Sequence, residues 1–114
     1  MDKDVVEHAA DVLKAVAHPA RLEIIELLES GEKSVSEIID ALGAKQAITS
    51  QQLNMMKDKA VLSSRREGAK VFYRIENKNV IKLLHCMYDH CKNKKEIKKW
   101  KSKSRNQSGS KKMS

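Results

Sequence analysis

The sequence has few aromatic residues and no long apolar run. Aromatic side chains make up 4% of its 114 residues, although hydrophobic residues of all kinds make up 40%. The core must therefore consist mainly of aliphatic side chains. No apolar run approaches the ~18–20 residues of a membrane helix, and no signal-peptide pattern opens the chain. We therefore expect a cytoplasmic protein without a membrane partner, whose single modest core gains stability by dimerisation.

Enzyme signatures are missing as well. The chain contains no Gly-rich phosphate loop, no nucleophile elbow and no HExxH metal motif, so we predict that it is not an enzyme. Its two cysteines are Cys86 and Cys91. Residues five apart on an ideal helix have Cα atoms about 8 Å apart, which is beyond the reach of a disulfide. A structural disulfide is therefore not expected, in keeping with a reducing cytoplasm.

The formal net charge of +8 is distributed unevenly along the chain. Residues 1–44 hold four Lys or Arg against ten Asp or Glu, and residues 45–74 hold seven against two. Residues 75–91 hold two against two, and residues 92–114 hold ten against one. The acidic N-terminal part would make a poor surface for DNA, whereas the basic middle segment would make a good one.

The basic C-terminal end has no apolar periodicity from Ser102 on. Blocks of like charge of this kind are usually disordered and solvated. We therefore predict a folded domain over residues 1–99 and a basic, disordered tail over residues 100–114.

The first 30 residues have the apolar spacing of two helices. Residues 2–17 form the first, and the His18-Pro19 pair ends it, because proline disfavours a helical residue before it. Residues 20–29 form the second. The side chains that we expect to face the core from this second helix are Leu22, Ile25 and Leu28.

A third helix is predicted from Val35 to Leu42. Ser34 precedes it and Glu37 follows three residues later, which is the spacing of a capping box. Gly43 ends the helix, and a fourth helix starts a few residues later. Two short helices joined by a Gly-containing turn are typical of a helix-turn-helix. The buried residues expected in the third helix are Ile38 and Leu42.

The fourth predicted helix, Gln46 to Lys59, is the one around which the fold is organised. Ile48, Leu53 and Met56 are expected to point into the core. Short polar side chains near the start of a helix suit insertion into the DNA major groove, where they reach base edges and phosphates. The residues predicted to contact DNA from this helix are Gln46, Thr49, Ser50, Gln51 and Lys57.

Two short strands are predicted between Val61 and Ile75, separated by a turn centred on Gly68. The tip of this hairpin carries the predicted DNA-binding cations Arg65, Arg66 and Lys70. A probe helix followed at once by a basic hairpin is the arrangement with which a winged helix-turn-helix holds DNA.

Asn77 is predicted to cap a last helix from Lys78 to about Lys99. Both this helix and the first one carry an apolar stripe that a small helix-turn-helix core cannot cover. A second subunit would cover both stripes and would present two probe helices to successive major grooves. The predicted fold is mainly α with a small β-hairpin, a winged helix-turn-helix that forms a homodimer through its first and last helices. The apolar stripe of the last helix consists of Val80, Leu84, Met87 and Cys91.

The chain resembles the bacterial ArsR/SmtB family of winged-helix repressors. The resemblance lies in AVAHPARLEIIELL and in VSEIIDALGAKQAITSQQLNMMKDKAVLSSRREGAKVFYRI, and it covers about residues 5–90. It implies a homodimer that represses its own or neighbouring genes until a metal ion or reactive small molecule binds. Matched residue by residue, it also puts His18 in a structural position. The same matching implies DNA contacts from Gln46, Thr49, Ser50 and Gln51, and from Arg65, Arg66 and Lys70 in the wing.

Two effector sites of that family are not present here. Where the family has a Cys-x-Cys pair, this chain has Glu37-Ile38-Ile39-Asp40-Ala41-Leu42, and the family's Asp-x-His spacing near the start of the last helix is also missing. Zinc or arsenite sensing through those sites is therefore not expected.

A different cluster is present in the last helix, where five candidate ligands occur within seven residues. Pairs four apart on a helix can bind one metal ion together, and Cys with His favours a borderline or soft ion such as Zn²⁺, Cu⁺ or Ni²⁺. No cofactor is expected to be obligatory. The candidate metal ligands are His85, Cys86, Asp89, His90 and Cys91, which we call the sensor cluster.

Other interpretations of the sensor cluster remain open. In the simplest interpretation, the cluster binds no effector. Cys91, which lies on the apolar stripe, then packs in the dimer interface, and His85 and Asp89 form a solvated pair. Alternatively, Cys86 and Cys91 respond to oxidation or persulfidation.

The function predicted from these patterns is sequence-specific DNA binding by a transcriptional repressor, with release from its double-stranded operator by a metal ion or a thiol-reactive species. The alternative is a non-specific basic nucleic-acid-binding or architectural protein with no effector, driven by the basic tail.

Overall fold

Five helices and three short strands are given bounds in a computed structural model, which describes residues 2–92, 95 and 97–103. Residues 97–103 are also helical. The predicted mainly α architecture with a β-hairpin between the fourth and fifth helices is confirmed. The elements are α1 (Lys3–Val16), α2 (Pro19–Leu28), β1 (Lys33–Ser34), α3 (Val35–Leu42), α4 (Gln46–Asp58), β2 (Leu62–Glu67), β3 (Lys70–Ile75) and α5 (Asn79–Cys91).

His18 forms the junction between α1 and α2. Its backbone is extended, and its Nδ1 accepts a hydrogen bond from the backbone N–H of Ala20 at 3.1 Å. Pro19 occupies the first turn of α2. Backbone N–H groups there have no intrahelical acceptor, so the missing N–H of proline costs no hydrogen bond. His18 is therefore a capping residue, which confirms the structural position predicted for it.

The capping box at the start of α3 is confirmed. The Ser34 hydroxyl accepts a hydrogen bond from the backbone N–H of Glu37 at 3.1 Å, and the Glu37 carboxylate accepts one from the backbone N–H of Ser34 at 3.0 Å. The hydrogen bond that the Ser34 backbone N–H donates to the Glu37 carboxylate, with a further contribution from the Ser34 side chain, holds the pKa of this carboxyl below its ordinary value of 4.5. Gly43 ends the helix in the left-handed conformation, with φ of 61°.

Replacing Ser34 by alanine is expected to lower the free energy of unfolding by about 0.5–2 kcal/mol at neutral pH, because the backbone N–H of Glu37 loses its acceptor. The pKa of Glu37 is lower in the folded protein than in the unfolded chain. The ionised carboxylate therefore makes its full contribution to the free energy of unfolding above pH 4.5, and this contribution is lost as the pH falls through the lower folded-state pKa. Urea denaturation at several pH values measures both effects. Glu37→Gln is the control that keeps an acceptor without titrating. A Ser34→Ala protein as stable as the wild type would contradict the capping role.

The three strands form one antiparallel sheet in the order β1-β3-β2. In the hairpin, Leu62 pairs with Ile75 and Glu67 pairs with Lys70, around a turn in which Gly68 has φ of 63°. The hairpin was predicted, but β1 was not, since two residues are too short to show an alternating pattern.

The core is aliphatic, as predicted, with Tyr73 as its aromatic member. The prediction for Leu22 was wrong, since its side chain is 36% exposed. At 100° per residue, the buried face of α2 is centred on Ile24, Ile25 and Leu28, and Leu22 falls outside it. Leu42 is half-buried rather than buried. The most deeply buried side chains are Ile24, Ile25, Ile38, Leu53, Met56, Val61 and Leu62.

The cap of the last helix is also confirmed, because the side chain of Asn77 accepts a hydrogen bond from the backbone N–H of Asn79 at 3.1 Å. The helix itself is shorter than predicted and ends at Cys91. Ser102 and Lys103 are helical, although disorder was predicted from Ser102 on. The remainder of the predicted tail, residues 104–114, lies outside the described residues.

Two compact units are present, Met1–Ile81 and Lys82–Ser114. The predicted domain limits, 1–99 and 100–114, stay predictions. None of the helices in the described part of the chain combines the length and the apolar character that a membrane crossing requires.

Candidate nucleic-acid interface

A short turn joins α3 to α4 and sets the direction of α4. The left-handed conformation of Gly43 reverses the chain, and α4 begins three residues later at Gln46. Both α2 and α3 pack against α4. The helix-turn-helix predicted from the sequence is therefore present, with α4 as its second helix.

The buried face of α4 differs from the prediction by one residue. Thr49 is 3% exposed and Ile48 is 51% exposed, so the predicted positions of these two side chains were wrong. The physical reason is helical spacing, because Thr49, Leu53 and Met56 are four and three residues apart and share one face. Ile48 lies about 100° away from Thr49 around the helix. The Thr49 hydroxyl is consequently not available to DNA in this conformation.

Gln51 lies opposite the buried face of α4, while Gln46, Ser50 and Lys57 lie on one flank of the helix and Ile48 lies on the other. Gln46, Ile48, Gln51 and Lys57 are exposed, and Ser50 is half-buried. Sequence reasoning missed Ile48 because an apolar residue was assumed to point inward.

The wing is the β2–β3 hairpin. Arg66 and Lys70 lie beside its turn and are exposed. Within the described residues, ion pairs engage Arg65 and Arg74 but neither Arg66 nor Lys70. Two charges of the wing are thus available for phosphate groups.

Arg65, by contrast, is bound within the chain. Its Nε and Nη2 donate to the Glu32 carboxylate at 2.7–2.9 Å, and its Nη1 donates to Glu67 at 2.7 Å. Its guanidinium lies 4.5 Å from the centre of the Phe72 ring. The bonds to Glu32 and Glu67 raise the pKa of Arg65, and the bond from Arg65 lowers the pKa of Glu32. Arg65 therefore fastens the wing to the loop between α2 and β1.

A cleft with a volume of about 420 Å³ joins α4 to the wing. Gln46, at the start of α4, lines one side, and Lys70, at the tip of the wing, lines another. Ser36 and Asp40 of α3 also line it. The N-terminus of α4 and the basic tip of the wing therefore share one face of the protein.

The sensor cluster is exposed along α5. Cys86 and Cys91 are free thiols, and the rings of His85 and Tyr88 meet edge to face with centroids 6.5 Å apart. Across residues 2–92, 95 and 97–103, no three His, Cys, Asp or Glu side chains lie close enough together to hold a metal ion. Within this described part of one chain, the sensor cluster therefore does not by itself form a tetrahedral zinc site.

Comparisons with known proteins agree with this geometry. The pattern of "Bacterial regulatory protein, arsR family" matches residues 18–63, which run from α2 to β2. The Biofilm growth-associated repressor of Agrobacterium fabrum is 36% identical over 88 residues, which are 77% of this chain and 74% of that protein.

Solved structures with the same fold include HlyU from Vibrio cholerae, with a TM-score of 0.72 at 28% identity over 82% of this chain and 100% of that chain. Another is the homodimeric winged helix-turn-helix DNA-binding domain of Mb0332 from Mycobacterium bovis, with a TM-score of 0.67 at 33% identity over 74% of this chain and 78% of that chain. Sequence and fold together show that the chain belongs to the bacterial arsR family of winged helix-turn-helix regulatory proteins.

Proposed function

We propose that this protein is a homodimeric transcriptional repressor that binds a specific DNA operator and is released from it by an effector. The observation that carries the proposal is the cleft that Gln46 and Lys70 line together. A helix that enters the major groove and a hairpin that grips the adjacent backbone must lie on the same face to act on one duplex. The relatives described as a repressor and as a homodimeric DNA-binding domain support it.

Within this interface, the side chains divide into two groups. Exposed cations bind phosphates and supply affinity, while polar and apolar groups on α4 bind base edges and supply specificity. The first group consists of Arg66, Lys70 and Lys57. Arg65 is not in this group, because its guanidinium is paired with Glu32 and Glu67 and attaches the wing to the loop before β1. The second consists of Gln46, Ser50, Gln51 and, as an addition from the structure, Ile48.

Apolar side chains on two helices support the homodimer. On α1, Val5, Val6 and Leu13 are each about half exposed. On α5, Leu83, Met87 and Tyr88 are exposed as well. Solvent-facing side chains of this size in a row are typical of an interface. We propose that a second copy covers both rows, which would place two α4 helices about one DNA turn apart.

Selection of DNA from a randomised pool tests the proposal. The wild-type protein should enrich a two-fold symmetric duplex and elute as a dimer. Deletion of residues 101–114 should leave this preference in place, because the preference comes from α4. Loss of all binding on deletion would support the alternative of a non-specific basic protein. A monomer without preference among duplexes would contradict the proposal.

Release by an effector is the second part of the proposal, and the sensor cluster is its candidate site. Exposed free thiols favour a thiol-reactive species, while a metal ion would need ligands beyond the described residues of one chain, for which a second copy is the candidate source. A coupling free energy of ~1–3 kcal/mol would weaken operator binding roughly 5- to 150-fold. We expect an oxidant or a soft metal ion to weaken operator binding of the reduced wild-type protein by this amount.

Cys86→Ser and Cys91→Ser are the matched variants for that titration. At least one of them should bind the operator as the wild type does when no effector is present, and should keep binding when the effector is added. If both variants are released as readily as the wild type, the two thiols serve only packing.

A further inference from the structure

Arg21 connects three helices through one guanidinium group. From α2, its Nε donates to the side-chain oxygen of Gln52 on α4 at 2.6 Å. Its Nη1 donates to the backbone carbonyl of Lys14, in the last turn of α1, at 3.0 Å. Both Arg21 and Gln52 are half-buried, so water competes less for the bond between them than it would at an open surface, whereas the bond to Lys14 is exposed.

Gln52 follows the exposed Gln51 directly in α4 and flanks the buried face of that helix. The buried face holds α4 mainly through Leu53 and Met56, whose apolar contacts have no directional preference. A hydrogen bond from a planar guanidinium has a preferred direction, because its donors point along fixed lines. The bond from Arg21 therefore restricts the rotation of α4 about its own axis, which apolar packing alone restricts less.

We propose that Arg21 is a positioning residue for α4, and that the bonds from Lys14 to Arg21 to Gln52 make operator discrimination depend on the placement of α1. The inference rests on the proposed function, since it assigns α4 to the major groove. Base edges are read by bonds that tolerate little displacement, whereas phosphate contacts depend mainly on charge. Loss of the connection should therefore weaken discrimination more than total affinity.

The connection also gives a route from the dimer helices to DNA. The C-terminal turn of α1 cannot move relative to α4 unless the Lys14–Arg21 bond breaks or Arg21 moves with it. In the proposed dimer, α1 contacts the second copy. A change in that contact would then reach α4 through the side chain of Arg21.

Methionine substitutions test the inference, since methionine keeps most of the length of both side chains and removes the hydrogen bond. The probe is the duplex that the wild-type protein enriches, compared with a scrambled duplex of equal length. Arg21→Met and Gln52→Met should each lower the ratio of the two affinities about tenfold. Affinity for the scrambled duplex should stay within about twofold of the wild type. The double variant should be no worse than Arg21→Met alone, because Gln52→Met removes a bond that Arg21→Met has already removed.

Two further variants control for folding and for charge. Arg74→Met removes an exposed arginine that is bound to Ser63 and Glu76 instead of α4, and it should keep the wild-type ratio. Gln52→Glu keeps an acceptor for Arg21 and should keep discrimination, although the added charge lowers both affinities. If Arg21→Met does not fold, Gln52→Met and Arg21→Lys carry the comparison.

The inference is overturned if the variants retain the wild-type ratio, or if the losses of Arg21→Met and Gln52→Met add in the double variant. If the wild-type protein itself enriches no duplex, the proposed function fails and the inference falls with it. The two failures are therefore distinguishable.

Discussion

Replacing Leu53 by alanine should lower the free energy of unfolding by about 2–5 kcal/mol. Leu53 is fully buried in the middle of α4, and removal of its side chain would leave a cavity between α4 and the elements packed against it. Domains of this size have a total stability of about 5–15 kcal/mol, so the loss is a large fraction of it. Urea denaturation at a fixed protomer concentration measures it, since dimerisation contributes to stability.

Ile48→Ala is the matched control for Leu53→Ala, because it lies on the same helix and removes a side chain of the same size class. Its side chain is half exposed, so the expected loss is below about 1 kcal/mol. If both variants lose the same free energy of unfolding, Ile48 is buried in the core, as the sequence pattern predicted. A small loss at Leu53 would contradict the packing of α4.

Simultaneous replacement of Arg66 and Lys70 by alanine should weaken binding to all duplexes, about 100-fold at low salt, with little change in sequence preference. Each exposed cation neutralises roughly one phosphate, so the plot of log affinity against log salt concentration should become shallower by about one unit per residue removed. Fluorescence anisotropy at a series of salt concentrations measures the slope. An unchanged slope would show that Arg66 and Lys70 do not contact phosphates.

Arg65→Ala provides the comparison for that experiment. The guanidinium of Arg65 is already paired with Glu32 and Glu67, so its removal should change the slope by less than one unit. If Arg65→Ala and Arg66→Ala change the slope equally, Arg65 leaves its carboxylate partners for a phosphate when DNA binds.

Local patterns predicted most of the fold. The Ser34–Glu37 capping box, the glycines at positions 43 and 68 and the Asn77 cap each depend on residues only a few positions apart. Because these signals depend on neighbouring residues and not on tertiary packing, they can be read directly from the sequence.

The remaining features depend on contacts between distant residues. Arg65 meets Glu32 and Arg21 meets Gln52 across more than 30 positions of the sequence, and no local spacing indicates either pair. The buried face of α4 was misassigned because a threonine occupies a core position and an isoleucine a surface position, contrary to their usual hydropathy. Tertiary packing decided which of the two neighbours turned inward.

The attachment of Arg65 to the loop before β1 has a consequence for how DNA is engaged. Three hydrogen bonds to Glu32 attach the hairpin to this loop in the free protein, and one to Glu67 lies within the hairpin itself. A preorganised hairpin loses less conformational entropy on association than a flexible one would. Part of the entropy cost of ordering the wing is thus met when the protein folds, before the wing contacts the phosphodiester backbone.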